Sequence, residues 1–412
     1  MKLNLLLRIF AVISLIIFLT YSVYKIPRLT HGFAAYYTYS KILIDGGNLS
    51  DGYKADYFNQ KINEYGFTNI YDLYNIIPTN VFVYLTVAWL EPMPAKIVWG
   101  IVSILLLFSS LLLLFKTFKI KLTDNYGFLC LIVVFLWHPL YENIALGQMY
   151  TLLLFFFSLC LYGINNKNKY ISSISVGLSF VSKGYGILLY LWFLATKRYK
   201  EFIIAISILV LLIVITLPII HFSTWKTFIE VTSATLGRFN EDSNVAYQNI
   251  NGFIRHLLVF DKDLNPNSIA NIPSNIVFYI VIVINLFLVA LLLLKARKYS
   301  NGKESTLLSC SAVIAASVLT APMAEEYTFI LFIPLTLAFG QTLFKGNGDK
   351  SFSITKIFFA LSVLMLILPL HYKNLQLTPF PVYLLAYPKL YGGLIMMGLY
   401  YFNKNIKQEL SK

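Results

Sequence analysis

Apolar runs close to the length of a membrane-spanning helix recur along the whole chain. The clearest of them cover residues 6–24, 97–115, 148–164, 201–219, 275–294, 354–370 and 382–401. A helix needs about 20 mostly apolar residues to cross the hydrocarbon core of a bilayer. The first run follows Met1-Lys2 and lacks a small-residue cleavage site, so we predict a retained span rather than a signal peptide. The pattern predicts a polytopic membrane protein.

Short basic loops between these runs indicate the orientation, because Lys and Arg accumulate on the cytoplasmic side of a membrane. The strongest cover residues 116–121, 165–169, 196–200, 295–303 and 403–412. Placing all of them inside predicts about twelve crossings of a plasma (inner) membrane, with both termini cytoplasmic.

Two parts of that path are too short for ordinary spans. Residues 170–182 and 184–196 lie between two basic loops, which predicts a hairpin. Residues 76–90 are predicted to form a re-entrant or interfacial helix, since irregular backbone at membrane depth survives only against protein or a watery cavity. The predicted fold class is an all-α polytopic membrane protein, with about twelve transmembrane helices and this short helix in a single integral-membrane domain over residues 1–412.

Composition and charge exclude several classes of protein. Of the 412 residues, 58% are hydrophobic and only 13% are charged, whereas soluble domains carry about 25% charged residues. The formal net charge of +14 is concentrated in the predicted inner loops, so it is a topology signal and predicts no nucleic-acid partner. Cys130, Cys160 and Cys310 are isolated within apolar runs, which excludes a disulfide framework or a cysteine metal site.

Most of the polar chemistry falls in two predicted extracytoplasmic loops, residues 25–75 and 220–274. The first loop is rich in tyrosine and acids, and its candidate proton acceptors are His31, Asp56 and Asp72. A carboxylate or imidazole there could deprotonate an acceptor hydroxyl within hydrogen-bond reach. Plain solvation is the alternative for any one of these acids.

Polar groups at the ends of apolar segments provide further candidates. Gln148 begins the span in "HPLYENIALGQMYTLLLFFF" (138–157), and an intramembrane polar group usually faces a cavity. Lys183 in "SFVSKGYGIL" is a candidate cation for a phosphate, with Gly184 and Gly186 allowing close backbone approach; the alternative is snorkelling to the outer headgroups. Glu325 and Glu326 follow a helix-breaking proline between two apolar segments, as a candidate pair or as a solvated turn.

Six segments together resemble a known family. They are "HGFAAYYTYSKILIDGGNLSDGY", "IYDLYNIIPTNVFVYLTVAWLEPMPAKIVWGI", "LGQMYTLLLFFFSLCLYG", "VGLSFVSKGYGILLYLWFL", "YQNINGFIRHLL" and "TAPMAEEYTFILFIPL". In order and placement they are similar to segments of the polyprenol-phosphate-mannose-dependent alpha-mannosyltransferases, which belong to the integral-membrane C-type glycosyltransferase superfamily. Gly32 stands where that family usually has an acid, and Glu326 where it often has a histidine.

The resemblance implies an inverting transfer of a mannose-like hexose from a polyprenyl-phosphate donor to a lipid-linked or cell-envelope glycan acceptor at the extracytoplasmic face. It implies a C-type glycosyltransferase-like fold in contact with membrane lipids and no cofactor, with a divalent cation left open and no metal site predicted. The candidate catalytic residues are Asp72, Asp56, His31, Glu326 and Glu325. The candidate residues for binding the donor phosphate are Lys183, Gln148, Arg238, Gln248 and Arg255.

Two other functions fit the same pattern. A transporter or flippase of lipid-linked sugars would need polar groups along a path through the spans, whereas here they gather on one face. A non-catalytic subunit of an envelope-assembly complex would be consistent with the glycine at the position of the family's acid.

Overall fold

The computed structural model describes residues 2–72, 77–235, 243–300, 302–345 and 350–402. These parts of the chain are helical and contain no β-strand. The α-helices are α1 (Lys2–Lys25), α2 (His31–Ile44), α3 (Ala55–Glu64), α4 (Val81–Leu85), α5 (Pro92–Phe118), α6 (Asn125–Phe135), α7 (His138–Leu146), α8 (Tyr150–Asn165), α9 (Lys169–Ser182), α10 (Ile187–Ala195), α11 (Tyr199–Thr235), α12 (Ile250–Leu258), α13 (Ser274–Lys298), α14 (Lys303–Leu319), α15 (Ile333–Lys345), α16 (Lys350–Ile367) and α17 (Pro388–Phe402).

The helices confirm a polytopic membrane protein but not twelve crossings. In the described ranges, five helical stretches are long and apolar enough to span a bilayer: Leu3–Lys25, Pro92–Phe118, Tyr199–Ala234, Ser274–Lys298 and Glu326–Phe344. The pair α6 and α7, bent by 44°, would make a sixth span if it is counted as one.

The prediction of about twelve spans was wrong because several apolar runs form helices that are too short. α8 has 16 residues, which gives a length of about 24 Å, whereas the hydrocarbon core is about 30 Å thick. α9 and α10 are shorter, with 14 and 9 residues. The predicted break at Lys183 is confirmed, since α9 ends at Ser182 and Lys183 has an extended backbone.

The core of the molecule is built around α14. Every residue of this helix from Ser305 to Leu319 is buried, and many of them are Ser or Ala, which allow neighbouring helices to approach closely. By contrast, only 11% of the apolar window of α11 is buried, and only 17% of the windows of α1 and α13. These three helices therefore present their apolar side chains outward, as lipid-facing helices do.

The described part of the first predicted outer loop, residues 25–72, is folded into a layer of short helices rather than left as an extended polar segment in solvent. It contains α2, α3 and a 3-10 helix at Leu49–Tyr53. Its aromatic residues pack with α4 and α5, where Tyr84 stacks on Tyr36 at 4.8 Å between ring centroids and approaches Trp99 at 4.4 Å. This packing gives the loop fixed positions from which to present polar groups.

The short segment before α5 is buried against this layer and the α9–α10 hairpin. It comprises a 3-10 helix, Pro78–Asn80, followed by α4. The Asn80 side-chain amide donates to the Ser182 carbonyl at 2.6 Å, and the Ser40 hydroxyl donates to the Val81 carbonyl at 2.9 Å. A short helix is thus present, and its re-entrant position in a membrane stays a prediction.

The second predicted outer loop is also partly helical. α11 continues through it to Thr235, with a break at His221, where φ is 61°, shortly after Pro218. The "DKD" sequence at 261–263 forms a turn, because the Asp261 side chain accepts hydrogen bonds from the amides of Asp263 and Leu264, both at 2.9 Å. Arg238 lies outside the described residues.

Candidate active site

A tight turn between α7 and α8 positions Gln148. Gly147 adopts a left-handed conformation with φ of 65°, which glycine tolerates without steric cost. Its carbonyl accepts hydrogen bonds from the Tyr84 hydroxyl at 2.7 Å and from Trp99 Nε1 at 3.1 Å. Gln148 is 4% exposed, and its Oε1 accepts a hydrogen bond from the Tyr36 hydroxyl at 2.8 Å. The amide of Gln148 therefore has a defined orientation.

A buried lysine that the sequence analysis did not single out supports the same turn. Lys96 of α5 is fully buried, and its ammonium donates to the Ala145 carbonyl at 2.7 Å, near the end of α7. A cation at a helix C-terminus is favourable because the carbonyl end carries partial negative charge. The available signal for this role was a lysine directly before the apolar run 97–115.

Gly32 leaves the space that Gln148 occupies. A Cβ atom at position 32 would lie 2.5 Å from Gln148 Nε2 and 3.2 Å from the Leu146 carbonyl oxygen. No side chain fits there unless Gln148 moves. The structure thus gives a packing reason why this chain carries glycine rather than an acid beside Phe33.

Lys183 lies at the α9–α10 turn against two tyrosine rings. Its ammonium is 3.2 Å from the Tyr150 hydroxyl, 4.7 Å from the centroid of the Tyr150 ring and 5.4 Å from that of Tyr36. The residue keeps partial solvent access. Protein packed around the ammonium lowers the pKa of Lys183 from 10.5 to about 8, against the opposing influence of Glu325 and Asp72.

Two of the predicted acids converge on this lysine from distant parts of the chain. The charges of Asp72 and Glu325 both act on Lys183 and on Tyr36. The backbone of Asp72 is held by Asn59 of α3, through two hydrogen bonds of 3.0 Å. The Glu325 carboxylate accepts a hydrogen bond from the Tyr327 hydroxyl at 2.8 Å. Gln148, Lys183, Asp72 and Glu325 therefore belong to one site.

Tyrosines from four elements surround the lysine, and the sequence analysis did not foresee their convergence. The Tyr150 ring contacts those of Tyr185 and Tyr327 at 5.4 and 5.3 Å. Burial raises the pKa of Tyr36 well above its usual value, with further contributions from Asp72 and Glu325, so this phenol stays neutral. Such rings offer apolar faces and polar edges together, which suits the two-sided surface of a sugar.

Glu326 is engaged differently from its neighbour Glu325. It is 8% exposed, and its oxygens contact His138 Nδ1 at 2.8 Å, the Lys389 ammonium at 2.9 Å and the Tyr372 hydroxyl at 3.0 Å. These partners come from α7, from α17 and from the loop before it, and none was singled out in the sequence. With both oxygens occupied, Glu326 is better suited to joining helices than to accepting a proton from a substrate.

The remaining predicted residues have other surroundings. His31 is exposed at the start of α2, and Asp56 is exposed in the first turn of α3. Gln248 is buried and donates to the carbonyls of Val245 at 2.6 Å and Ala386 at 2.8 Å. Arg255 is 1% exposed and donates to the Asn251 side chain at 3.0 Å.

The contacts of Gln248 attach the second outer loop to Ala324 and to the segment before α17, and the bond of Arg255 to Asn251 lies within that loop. As to metal ions, the part of the chain that the structure describes contains no group of three or more His, Cys, Asp or Glu side chains placed to hold one.

Comparison with known proteins identifies the family. The sequence model of glycosyltransferase family 87 matches residues 73–322, which is more than half of the chain. The chain belongs to glycosyltransferase family 87. No curated protein and no solved structure matches it significantly.

Family 87 membership makes this protein a membrane glycosyltransferase, which acts on a sugar donor and an acceptor. The matched range contains Gln148 and Lys183. It begins just after Asp72 and ends just before Glu325, so the two carboxylates of the site lie at its borders.

Proposed function

We propose that this family 87 glycosyltransferase transfers a mannose-like hexose from a polyprenyl-phosphate donor to a lipid-linked or cell-envelope glycan acceptor, at the extracytoplasmic face of the plasma (inner) membrane. The observation that carries the proposal is the position of Lys183, partly accessible among tyrosines and under the influence of two carboxylates. A transfer with a phosphate leaving group needs a cation to stabilise the phosphate and a base to accept the proton of the acceptor.

A lipid-linked donor suits the surroundings of this site. Nucleotide sugars do not reach the extracytoplasmic face, so a donor there must be carried by lipid. The outward apolar surfaces of α1, α11 and α13 show that the helix bundle is made to lie in a bilayer. A polyprenyl tail can stay in lipid while its phosphate and sugar enter the tyrosine-lined site.

The proposed reaction is a single displacement. The acceptor hydroxyl oxygen attacks the anomeric carbon from the face opposite the phosphate, and the bond from that carbon to the phosphate oxygen breaks. The acceptor proton passes to a carboxylate, and the bond's electron pair leaves with the polyprenyl monophosphate. Lys183 stabilises the charge that develops on the phosphate, and the Gln148 amide offers a further donor at the same site.

Asp72 is the proposed base, with Glu325 as its alternative. Asn59 holds the backbone of Asp72 through two hydrogen bonds, and this fixes the point from which the Asp72 side chain projects. Glu325 already accepts a hydrogen bond from the Tyr327 hydroxyl, so one of its oxygens is engaged within the protein. Asp56 and His31 remain predicted candidates for the base, because both belong to the outer layer and are exposed.

The direct test uses purified protein reconstituted in liposomes, with radiolabelled polyprenyl-phosphate mannose as donor and extracted membrane lipids as acceptors. The expected result is labelled product that depends on the protein, and a nucleotide sugar should not replace the donor. Movement of the labelled donor between leaflets without product would favour a flippase. Transfer from a nucleotide sugar alone would contradict the proposed donor class.

We predict that Asp72→Asn lowers turnover by about 10²–10⁴-fold, the usual contribution of a general base. The change keeps the shape of the side chain and the backbone clamp to Asn59. Glu64→Gln, in α3 of the same outer layer and exposed, is the control and should stay near the wild-type rate. If Glu325→Gln shows the loss instead, Glu325 is the base. Near-normal transfer in Asn, Gln or Ala variants of Asp72, Asp56, His31, Glu325 and Glu326 would contradict general-base catalysis altogether.

A further inference from the structure

A chain of three hydrogen bonds leads from Lys183 through two tyrosines to the backbone of a distant segment. The Lys183 ammonium donates to the Tyr150 hydroxyl at 3.2 Å, and the Tyr150 hydroxyl donates to that of Tyr185. Tyr185 in turn donates to the Met323 carbonyl at 3.1 Å. The two tyrosine rings meet edge to face, with 5.4 Å between their centroids. These four residues form a single hydrogen-bonded unit, the tyrosine relay.

The two ends of the tyrosine relay give it a direction. An ammonium can only donate, a backbone carbonyl can only accept, and each phenol has one O–H group. The Met323 carbonyl therefore accepts from Tyr185, the Tyr185 oxygen accepts from Tyr150, and the Tyr150 oxygen accepts from Lys183. Both phenol protons are used inside the protein, whereas two of the three ammonium protons are not used by the relay. A ligand at this point is therefore met by N–H groups of Lys183.

The relay ends on the segment that carries Glu325. Four successive carbonyls directly before Glu325 each accept a hydrogen bond from Tyr185 or from the second outer loop. The acceptors are the carbonyls of Ala321, Pro322, Met323 and Ala324, and the donors are, in the same order, the side chains of Asn249, Asn251 and Tyr185 and the backbone amide of Gln248, at 2.8, 2.8, 3.1 and 2.9 Å. The backbone from which the Glu325 carboxylate projects is therefore held in place.

Tyr150 is the point where the cation and this carboxylate are connected. It is 2% exposed, and its amide donates to Asn143 Oδ1 at 3.0 Å. Its ring lies 4.7 Å from the Lys183 ammonium, within the range of cation–π attraction. The same ring contacts that of Tyr327 at 5.3 Å, and the Tyr327 hydroxyl donates to Glu325 at 2.8 Å. Lys183 and Glu325 are thus linked through Tyr150 by a ring contact as well as by the relay.

We propose that Tyr150 and Tyr185 are positioning residues, which set the orientation of Lys183 relative to Glu325 and leave two ammonium N–H groups for the donor phosphate. A lysine has a flexible four-carbon stem, and ordering it before the ligand arrives lowers the cost of binding. The role toward the phosphate rests on the proposed function. The effect of the two tyrosines on Lys183 does not rest on it, and it can be measured without any transfer.

The first measurement is the titration of Lys183 in the purified full-length protein. Acylation by a small anhydride, followed by mass spectrometry of the peptide that contains Lys183, gives the fraction of reactive amine at each pH. Burial lowers the pKa of Lys183 to about 8, against the opposing influence of Glu325 and Asp72, so the wild-type midpoint is expected near that pH. Tyr150→Phe should move the midpoint to lower pH, because the hydroxyl accepts from the charged form and so favours it.

Tyr185→Phe should move the midpoint in the same direction but by less. Tyr150 then keeps its contact with Lys183 and loses only its own acceptor, so the remaining hydrogen bond is less polarised. Glu325 and Asp72 are unchanged in both variants, so their influence on Lys183 does not account for a difference between them.

The second measurement is the donor KM in single and double variants. Tyr150→Phe should raise this KM by about 2- to 10-fold, the range for one net hydrogen bond, with a smaller change in kcat. In a Lys183→Ala background the same substitution should raise the KM no further, because the tyrosine acts only through the lysine. A merely structural role of Tyr150 would add a similar loss in both backgrounds.

Tyr126→Phe is the matched control, because Tyr126 in α6 also donates from a partly buried hydroxyl to a carbonyl, that of Leu337 at 2.6 Å. It should change neither the Lys183 midpoint nor the donor KM, and thermal unfolding checks the folding of every variant. A lower midpoint in Tyr150→Phe, with a KM effect that disappears in the Lys183→Ala background, would support the proposal.

The same Lys183 midpoint in wild type and Tyr150→Phe would overturn the proposal, even if the protein transfers mannose. Additive KM losses in Tyr150→Phe and Lys183→Ala would overturn it as well. Absence of transfer from polyprenyl-phosphate mannose would instead contradict the proposed function, and the titration of Lys183 would still decide whether the two tyrosines position it.

Discussion

Lys183 combines two properties that rarely occur in one side chain of a membrane protein. It is packed among tyrosines and under the influence of two carboxylates, yet it keeps partial access to solvent. A purely structural lysine in this protein looks different: Lys96 is fully buried with its ammonium on backbone carbonyls. The contrast favours a ligand-binding role for Lys183.

We predict that Lys183→Ala raises the KM for the donor by about 10- to 100-fold, the range expected when a hydrogen bond to a charged group is lost. Lys183→Arg should keep most of the binding because the positive charge remains. Steady-state kinetics with varied donor concentration measure both effects. Lys54→Ala, an exposed outer-layer lysine paired with Asp51, is the control. The same donor KM in wild type and Lys183→Ala would exclude the phosphate contact.

The pH dependence of the same reaction gives a second check on Lys183. Its pKa in the free protein is about 8, so the ammonium is present below that pH and is lost as the pH rises through it. The kcat/KM for the donor should therefore fall above about pH 8, since this parameter reports groups of the free enzyme. In Lys183→Arg the alkaline fall should move to higher pH, because arginine stays charged. An unshifted fall would assign it to another group.

Among elements, the region around Glu326 joins parts of the chain that are far apart in sequence. Glu326 bonds to His138 at the start of α7, to Lys389 at the start of α17 and to Tyr372. Lys389 also donates to the carbonyls of Leu366 and Leu368 at the end of α16. The network fixes these helix ends beside Glu325, and so contributes to the geometry of the site indirectly.

We predict that Glu326→Gln destabilises the protein by roughly 3–5 kcal/mol, because it leaves the buried Lys389 without its opposite charge. The midpoint of thermal unfolding in detergent should fall clearly. The double variant Glu326→Gln with Lys389→Met should recover much of the loss, since the unpaired cation is gone. Glu64→Gln, at an exposed ion pair of α3, is the control. An unchanged midpoint in the single variant would contradict the assignment.

At the scale of the whole molecule, polar chemistry is divided between two ends of one helix bundle. The predicted inner loops at 116–121, 165–169 and 295–303 contribute Lys119, Asn165 and Lys303 to one cavity or its border. Gln148, Lys183 and Glu325 come together at the other end. The three predicted inner loops thus lie at the same end of the bundle, and the candidate active site lies at the other end, as the positions of the basic loops predict. Which end faces the cytoplasm stays a prediction.

We predict that residue 119 faces the cytoplasm and residue 262 the outside. Single cysteines introduced by Lys119→Cys and Lys262→Cys should differ in intact cells, with labelling by a membrane-impermeant maleimide at 262 only. The background should be low because Cys130, Cys160 and Cys310 are all buried. Labelling of both positions after permeabilisation is the control. The reverse pattern in intact cells would invert the topology and move the candidate active site to the cytoplasmic face.

The sequence by itself determined the class of protein, the helical content and the break at Lys183, because hydropathy and glycine act over a few neighbouring residues. It also selected Gln148, Lys183, Asp72 and Glu325, since polar residues beside apolar runs are conspicuous. Only the tertiary structure showed that Glu325 and Glu326 have different partners, that fewer than twelve helices span the membrane, and that tyrosines surround Lys183. Those features depend on helix lengths and on contacts between residues far apart in the chain, such as Glu326 with His138 and Lys389. Local patterns carry no information about such contacts, because they form only when the helices pack.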